Sequence, residues 1–176
     1  KAAAWFAIFA ATASARNGKT SMIRKIIIRS AILLFVLCPL LSTEAYAQSC
    51  EKVARDVNVR LAPKIDEPEL IEIIRNLNRT NNKKLPAKFV NKQEARTHGW
   101  KPGKDLWSVS ALRGSSIGGD RFRNLEGRLP DQKWREADLD YKGGHRGGKR
   151  LVFSRYGVRF VTVDHYKTFT EVPPCR

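Results

Sequence analysis

The spacing of apolar residues changes along the chain from helical to alternating. In DEPELIEIIRNLNRT, Leu70, Ile73, Ile74 and Leu77 fall at i, i+3, i+4 and i+7, which is one face of a helix. Asp66 stands where an N-cap belongs and Glu69 follows three residues later, so a capping box is expected there. NKQEARTHG reads as a second, shorter helix, with Asn91 as N-cap and Gly99 as its stop. His98 falls in the last turn of that helix, where an imidazole suits the helix dipole. A further helical turn fits KDLWSVSAL. Beyond it come short strand candidates divided by glycine: SSIGGDRF, KWREADLDY, KRLVFSR, VRFVTVD and YKTFTEV. Residues 48–64 mix charges without a clear period and read as an irregular lead-in. Helices first and an antiparallel run second predicts an α+β domain over residues 65–176.

The N-terminal pattern is of another kind. From Met22, the only methionine, run MIRKIIIRS, AILLFVLCPLL and STEAYA: a basic start, an apolar core and a small-x-small end at Ala45-Tyr46-Ala47. That is the layout of a secretory signal peptide over residues 22–47, cleaved after Ala47. The apolar core is short beside the about 20 residues a spanning helix needs, which leaves an uncleaved anchor as the alternative. Residues 1–21 precede that methionine and read as upstream sequence or an uninterpreted extension, outside the domain. The expected product is secreted, extracellular or periplasmic, with no stable membrane association after processing.

Charge then narrows the partners. The chain carries 33 Lys plus Arg against 17 Asp plus Glu, a formal +16. Residues 1–47 hold six of the basic residues and Glu44, so the mature segment keeps 27 basic and 16 acidic residues, a net +11. Such a balance favours a polyanion: nucleic acid, an anionic membrane surface or an acidic protein. Secretion also changes the reading of the cysteines. Cys38 leaves with the leader, whereas Cys50 and Cys175 remain near the two ends of the mature chain, and an oxidising destination predicts that they pair. Two free thiols, or a lipidated Cys50, are the alternatives. The run Ala47-Gln48-Ser49-Cys50 lacks the aliphatic residue that normally opens a lipidation motif.

Alternation along WREADLDY puts Trp134, Glu136, Asp138 and Asp140 on one strand face. Three acids in a row repel unless cations lie opposite, and the following GGHRGGKRLVF supplies Arg146 and Arg150. A solvated charged face and a reactive site are equally good readings of that spacing. Guanidinium forks match phosphate oxygens bidentately, and His165, in TVDHYKTFT, could donate a proton near neutral pH. A carboxylate, a histidine and two arginines are sufficient to cleave RNA without a metal. No compact ligand cluster in the sequence predicts a metal, and no cofactor is expected.

Taken in order, LP with NKQEA and GW (85–100), SIGGDRFRNLEGRLP (116–130), WREADLDY (134–141), the Arg146 and Arg150 pair, and TVDHYKTFT resemble the barnase-type family of secreted bacterial guanyl-preferring ribonucleases. The resemblance runs from about Leu85 to Val172. It implies the microbial ribonuclease fold, with N-terminal helices on one face of a five-stranded antiparallel sheet and the site on the other. Glu136 would be the general base and His165 the general acid in transesterification to a 2′,3′-cyclic phosphate, exchanging roles in its hydrolysis. Arg146 and Arg150 would bind the reacting phosphate, Lys92 would aid the transition state, and Asp138 would hold the arginines. Tyr166 would line the substrate site. Guanine would be bound by FRNLEG: Glu126 accepting from the base, the backbone of Arg123, Asn124 and Leu125 approaching its O6, and Phe122 supporting the pocket.

The chain departs from the family where Leu125 replaces an arginine, Arg123 a serine and His145 an aromatic residue. The loop between Pro130 and Trp134 is also shorter, and the terminal cysteines are additional. The implied protein is a monomer that acts on RNA, and the family often meets a small acidic, barstar-like inhibitor. Two rivals remain: a non-catalytic cationic protein that binds nucleic acid or acts as an antimicrobial, and a metal-dependent nuclease.

Overall fold

The computed structural model describes residues 48–176, so the expected leader and the segment before it lie outside the described residues. Helix α1 spans Cys50–Val59 and α2 Glu67–Arg79; a short strand β1, Phe89–Val90, leads into α3, Lys92–Thr97. Two 3-10 turns, Leu106–Ser108 and Ser110–Leu112, occupy the stretch read as a further helical turn. Strands β2 (Ser116–Phe122), β3 (Trp134–Asp138), β4 (Arg150–Ser154), β5 (Arg159–Thr162) and β6 (Thr170–Glu171) then follow one another in a sheet ordered β1 to β6. The fold is α+β, as expected. The sheet has six strands rather than five: β2 to β6 are antiparallel, and β1 adds a parallel pair through Phe89 and Val90. Two residues are too few to show alternation, which is why β1 left no pattern.

The lead-in is also corrected. Residues 50–59 form a helix capped by the Ser49 hydroxyl, which accepts from the Lys52 amide at 3.2 Å. Its buried apolar positions, Cys50, Val53, Ala54 and Val57, do have helical spacing. Cysteine and alanine carry so little apolar contrast among charged neighbours that the face does not stand out. Helix α2 begins at the expected cap, with Asp66 Oδ1 accepting from the Glu69 amide at 3.0 Å. The reciprocal half of the box is exchanged for a tertiary one. Asp66 N–H donates to Asp140 Oδ1 at 2.9 Å, and Asp140 N–H donates to Glu69 Oε2 at 2.6 Å. Asp140, placed by alternation in the acid row, thus lies past the end of β3 with a left-handed φ of 58° and also pairs with Lys149.

Both helices pack on one face of the sheet, burying Leu70, Ile73, Ile74 and Leu77 with Ala137, Leu151, Phe153 and Val161. The opposite face carries a smaller apolar group around Trp134 and Val152, with Phe122, Phe160, Tyr166 and Phe169 packed on it. A third cluster, including Trp100, Leu106, Ile117 and Tyr141, joins α3 and the 3-10 turns to the sheet.

Cys50 and Cys175 are disulfide-bonded, tying α1 to the C-terminal segment across 125 positions of sequence. Asn78 of α2 reinforces this closure, donating to the Cys175 carbonyl at 2.9 Å and accepting from the buried Arg159 at 2.7 Å. For a loop of this length the chain-entropy argument gives about 5 kcal/mol, with about 2–5 typical on removal of a native bridge. The double substitution Cys50→Ala with Cys175→Ala should therefore lower the unfolding free energy by about 2–5 kcal/mol in a urea titration. An unchanged midpoint would show that the bridge contributes nothing.

Candidate active site

Strand β3 sets the site by its period of two. Glu136 and Asp138 project from the face away from α1 and α2, while Ala137 points into the helix-covered core. Pairing with β4 places Arg150 directly opposite Asp138, and β5 continues that row with Thr162. Asp138, only 3% exposed in its side chain, holds two guanidinium groups. Arg146 donates to it through Nε and through a terminal nitrogen at 2.6 Å. Arg150 Nε lies 2.9 Å from Oδ1 as an ion pair whose angle falls short of a hydrogen bond. The other end of Arg150 donates to the carbonyls of Gly147 and Lys149 at 2.8 and 2.7 Å. Burial works against the charge of Arg146, but the Asp138 pair and the nearby Glu136 outweigh it and hold its pKa above the ordinary value.

Arg146 reaches Asp138 because the loop after β3 is pinned. The buried Tyr141 hydroxyl lies 2.8 Å from Asp105 Oδ1 and 3.1 Å from the Gly144 carbonyl, and accepts from the Leu106 amide at 2.9 Å. Burial first, and then Asp105, push this phenol up to about 12, so it stays protonated and keeps donating. Gly143, with φ +84°, presses on Trp107: a Cβ there would lie 2.9 Å from the indole ring.

Glu136 is buried on the same face and both its oxygens are engaged. Lys92 Nζ donates to Oε1 at 2.9 Å and Tyr166 O–H donates to Oε2 at 2.6 Å. A carboxylate offers about four lone-pair directions, so acceptor capacity remains for a substrate hydroxyl. Lys92 is in position because Asn91 caps α3 and Asp120, opposite Glu136 on β2, accepts from the Lys92 amide at 3.0 Å. Tyr166 is held well above the usual phenol range, first by burial and then by Glu136, so it acts as a donor.

His165 and Tyr166 do not lie in a strand. The candidate YKTFTEV forms a strand only at Thr170–Glu171, and the chain before it is a turn with left-handed φ values of 55° at His165 and 66° at Tyr166. Two consecutive non-glycine residues in that region cost about 1–3 kcal/mol each and persist only where their surroundings impose them. Asp164 imposes this one. Its Oδ1 accepts from Thr162 Oγ1 at 2.9 Å and from the amides of Lys167 and Thr168 at 3.0 Å, and its Oδ2 from Thr168 Oγ1 at 2.7 Å. Desolvation opposes ionisation, but these donors outweigh it and bring the carboxyl down to about 2. The imidazole rests on Gly148, where a Cβ would come within 2.5 Å of Nδ1.

A pocket of about 370 Å³ brings the two halves together. Glu136 and His165 both line it, as do Phe122, Tyr166 and residues 123–126. Phe122 and Tyr166 stack with ring centroids 5.0 Å apart. Asn124, at φ 48°, closes the 124–129 loop by exchanging side-chain bonds with the backbone of Leu129 at 2.7 and 3.1 Å. Glu126 is exposed and paired with Arg128, and Leu125 is 85% exposed. Lys92, Arg146, Arg150 and Asp138 join this pocket through Glu136 and the strand register rather than by lining it. The residues 75–173 match the sequence profile of a family described as ribonuclease. The chain belongs to that ribonuclease family, of the microbial, barnase type.

Ribonucleases of Bacillus intermedius and Bacillus pumilus are each 45% identical to this chain over 93 residues, which cover 51% of it and 57% of their own length. A ribonuclease of Heyndrickxia coagulans is 44% identical over 93 residues, 51% of this chain and 84% of that protein. The match thus spans little more than half the length of the two Bacillus relatives.

Sequence reasoning missed residues that position others, Asp120, Thr162 and Gly148, and left a structural or a substrate-contact role open for Asp164. Asp164 left one sign in the sequence, an acid with threonines at two residues before and four after. Because its folded pKa is lowered, its stabilising contribution is complete above the ordinary value near ~4 and is lost as pH falls through about 2. Hydrogen exchange should find the Lys167 and Thr168 amides protected at pH ~4 and released toward pH ~2. Asp164→Ala should speed their exchange about tenfold or more at neutral pH, and equal rates in the two proteins would contradict this account of the turn.

Proposed function

We propose that the protein is a secreted endoribonuclease that cleaves single-stranded RNA after guanine, without a metal, by transesterification followed by hydrolysis. One observation carries the reading: Glu136 and His165 line the same pocket as the 122–126 loop, beside two arginines held by one buried aspartate. In the first step the Glu136 carboxylate takes the proton of a ribose 2′-OH, and that oxygen bonds to phosphorus. The bond from phosphorus to the 5′-oxygen breaks, and the His165 imidazolium protonates the departing oxygen. The products are a 2′,3′-cyclic phosphate and a free 5′-hydroxyl. Arg146, Arg150 and Lys92 oppose the charge that develops on the phosphoryl oxygens. In the second step His165 takes a proton from water as the water oxygen bonds to phosphorus. The bond from phosphorus to the 2′-oxygen breaks, and Glu136 returns a proton to that oxygen, leaving a 3′-phosphate and a free 2′-hydroxyl.

Support for guanine comes from the loop. Asn124 shapes its backbone through side-chain bonds that do not involve positions 123 or 125, so the replacements there leave the loop closure untouched. Glu126 would exchange its solvent-exposed Arg128 pair for the base's N–H groups. Secretion rests on the leader pattern of residues 22–47 and accords with the disulfide.

The test incubates the mature protein with a defined RNA in EDTA and maps the cuts. Cleavage 3′ to guanine is expected, and Glu136→Gln or His165→Ala should each lower kcat by about 10²–10⁴-fold while RNA binding persists. Cuts placed without regard to guanine would remove the specificity claim, and no cleavage by the parent protein would overturn the activity. RNA binding without cleavage, equal in the parent and both variants, would favour a cationic binding protein, and variants that cleave at the full rate would contradict the roles of Glu136 and His165.

A further inference from the structure

A cavity of about 760 Å³ holds neither Glu136 nor His165. It lies where β3 begins and β4 ends, below the turn that follows α2. Five cations line it, Lys83, Arg121, Lys133, Arg135 and Arg155, and no acid does. All five side chains are exposed, and none forms an ion pair with an acid among the described residues. Arg121 and Arg135 are moreover direct cross-strand partners, an arrangement in which like charges destabilise a sheet. Elsewhere the chain places carboxylates beside its cations, as Asp138 and Asp140 illustrate. Here it leaves them concentrated.

The patch also has an aromatic surface. Tyr156 is 73% exposed at the wall of the cavity, with the Arg155 guanidinium 5.6 Å from its ring centroid. A cationic groove with an accessible aromatic ring is the combination that follows a single-stranded nucleic acid, the cations meeting phosphates and the ring meeting a base. Position decides which nucleic acid. Arg121 lines this cavity and also the pocket that contains Glu136 and His165, so the two adjoin at the end of β2, with Arg121 and Arg135 on the sheet face opposite Glu136.

We propose that this groove is an extended substrate-binding surface that holds the sugar–phosphate backbone of a long RNA strand outside the nucleotides being cleaved. The proposal rests on the reading of the adjacent pocket as an RNA-cleaving site. It makes Lys133, Arg135 and Arg155, none of which takes part in the chemistry, the residues through which the enzyme would favour long strands over short ones.

The test compares the mature protein with the triple variant Lys133→Ser, Arg135→Ser, Arg155→Ser, leaving Arg121 in place because it also borders the reactive pocket. Each is assayed on the dinucleotide GpU and on a single-stranded RNA of roughly 20 nucleotides, longer than one such groove covers. On GpU, kcat/KM should stay within about twofold. On the long strand it should fall about tenfold or more, through KM, and the dependence of log KM on log salt should flatten by about 2, at ~0.7 per phosphate contact. The charge-keeping variant Arg135→Lys, Arg155→Lys with Lys133→Ser should recover most of the loss. Equal effects on the two substrates, or no effect on either, would overturn the proposal. So would an unchanged long-strand KM with lost binding to phosphatidylglycerol vesicles, which would assign the groove to a membrane surface. A parent protein inert on both RNAs would refute the reading of the site itself, and the groove proposal with it.

Discussion

The buried Arg150 and the half-buried Arg146 cannot lie side by side without an anion between them, and Asp138 is that anion. Withdrawing a charge from water costs several kcal/mol after relaxation, so the arrangement survives only if the ions are paired with good geometry. The register of β3 and β4 provides it: Asp138 faces Arg150 across one ladder rung, and the loop between the strands returns Arg146 to the same carboxylate. Removing one partner from such a pair typically costs about 3–5 kcal/mol, because the remaining charges stay buried. The same contact fixes the fork of each guanidinium before any phosphate arrives. The remaining elements serve this arrangement: Tyr141 pins the loop, Gly143 lets it lie on Trp107, and the helix-covered face keeps the strands in register.

Glu136 and His165 are supported differently. Glu136 lies two residues from Asp138 and takes its direction from the strand, with Lys92 and Tyr166 bonded one to each oxygen. His165 lies in an unfavourable turn conformation maintained by the four donors that Asp164 gathers. Tyr166 connects the two, since its amide bonds Thr162 within the turn and its hydroxyl bonds Glu136 on the sheet. The base and the acid of the proposed reaction are therefore linked by one residue, and a disturbance of the turn reaches both.

Much of this was legible in the sequence where physical contrast was strong. Helix α2 stood out because four aliphatic residues recur at helical spacing among charged ones, with a cap in place. Helix α1 did not, because half of its buried apolar positions are a cysteine and an alanine. The strand reading of YKTFTEV followed β-branched and aromatic residues that are individually suited to strands. The hydrogen bonds of Asp164 outweigh that preference, and a left-handed pair cannot be read from residue types alone. Asp138 and its arginines became visible as opposite charges on neighbouring segments, but alternation carried the row one acid too far, to Asp140. The groove beside Arg121 could not be read at all, since its five cations come from segments that meet only in the fold.

The central claim is that Glu136, His165 and the Asp138-held arginines use a ribose hydroxyl as the nucleophile. It is tested most directly with a single-stranded oligonucleotide containing one guanosine, prepared with either ribose or 2′-deoxyribose at that position. The account predicts cleavage of the ribose form with a 2′,3′-cyclic phosphate on the guanosine fragment, and no cleavage of the deoxy form there. Cleavage of both at equal rates would mean that the nucleophile comes from elsewhere, and would contradict the mechanism.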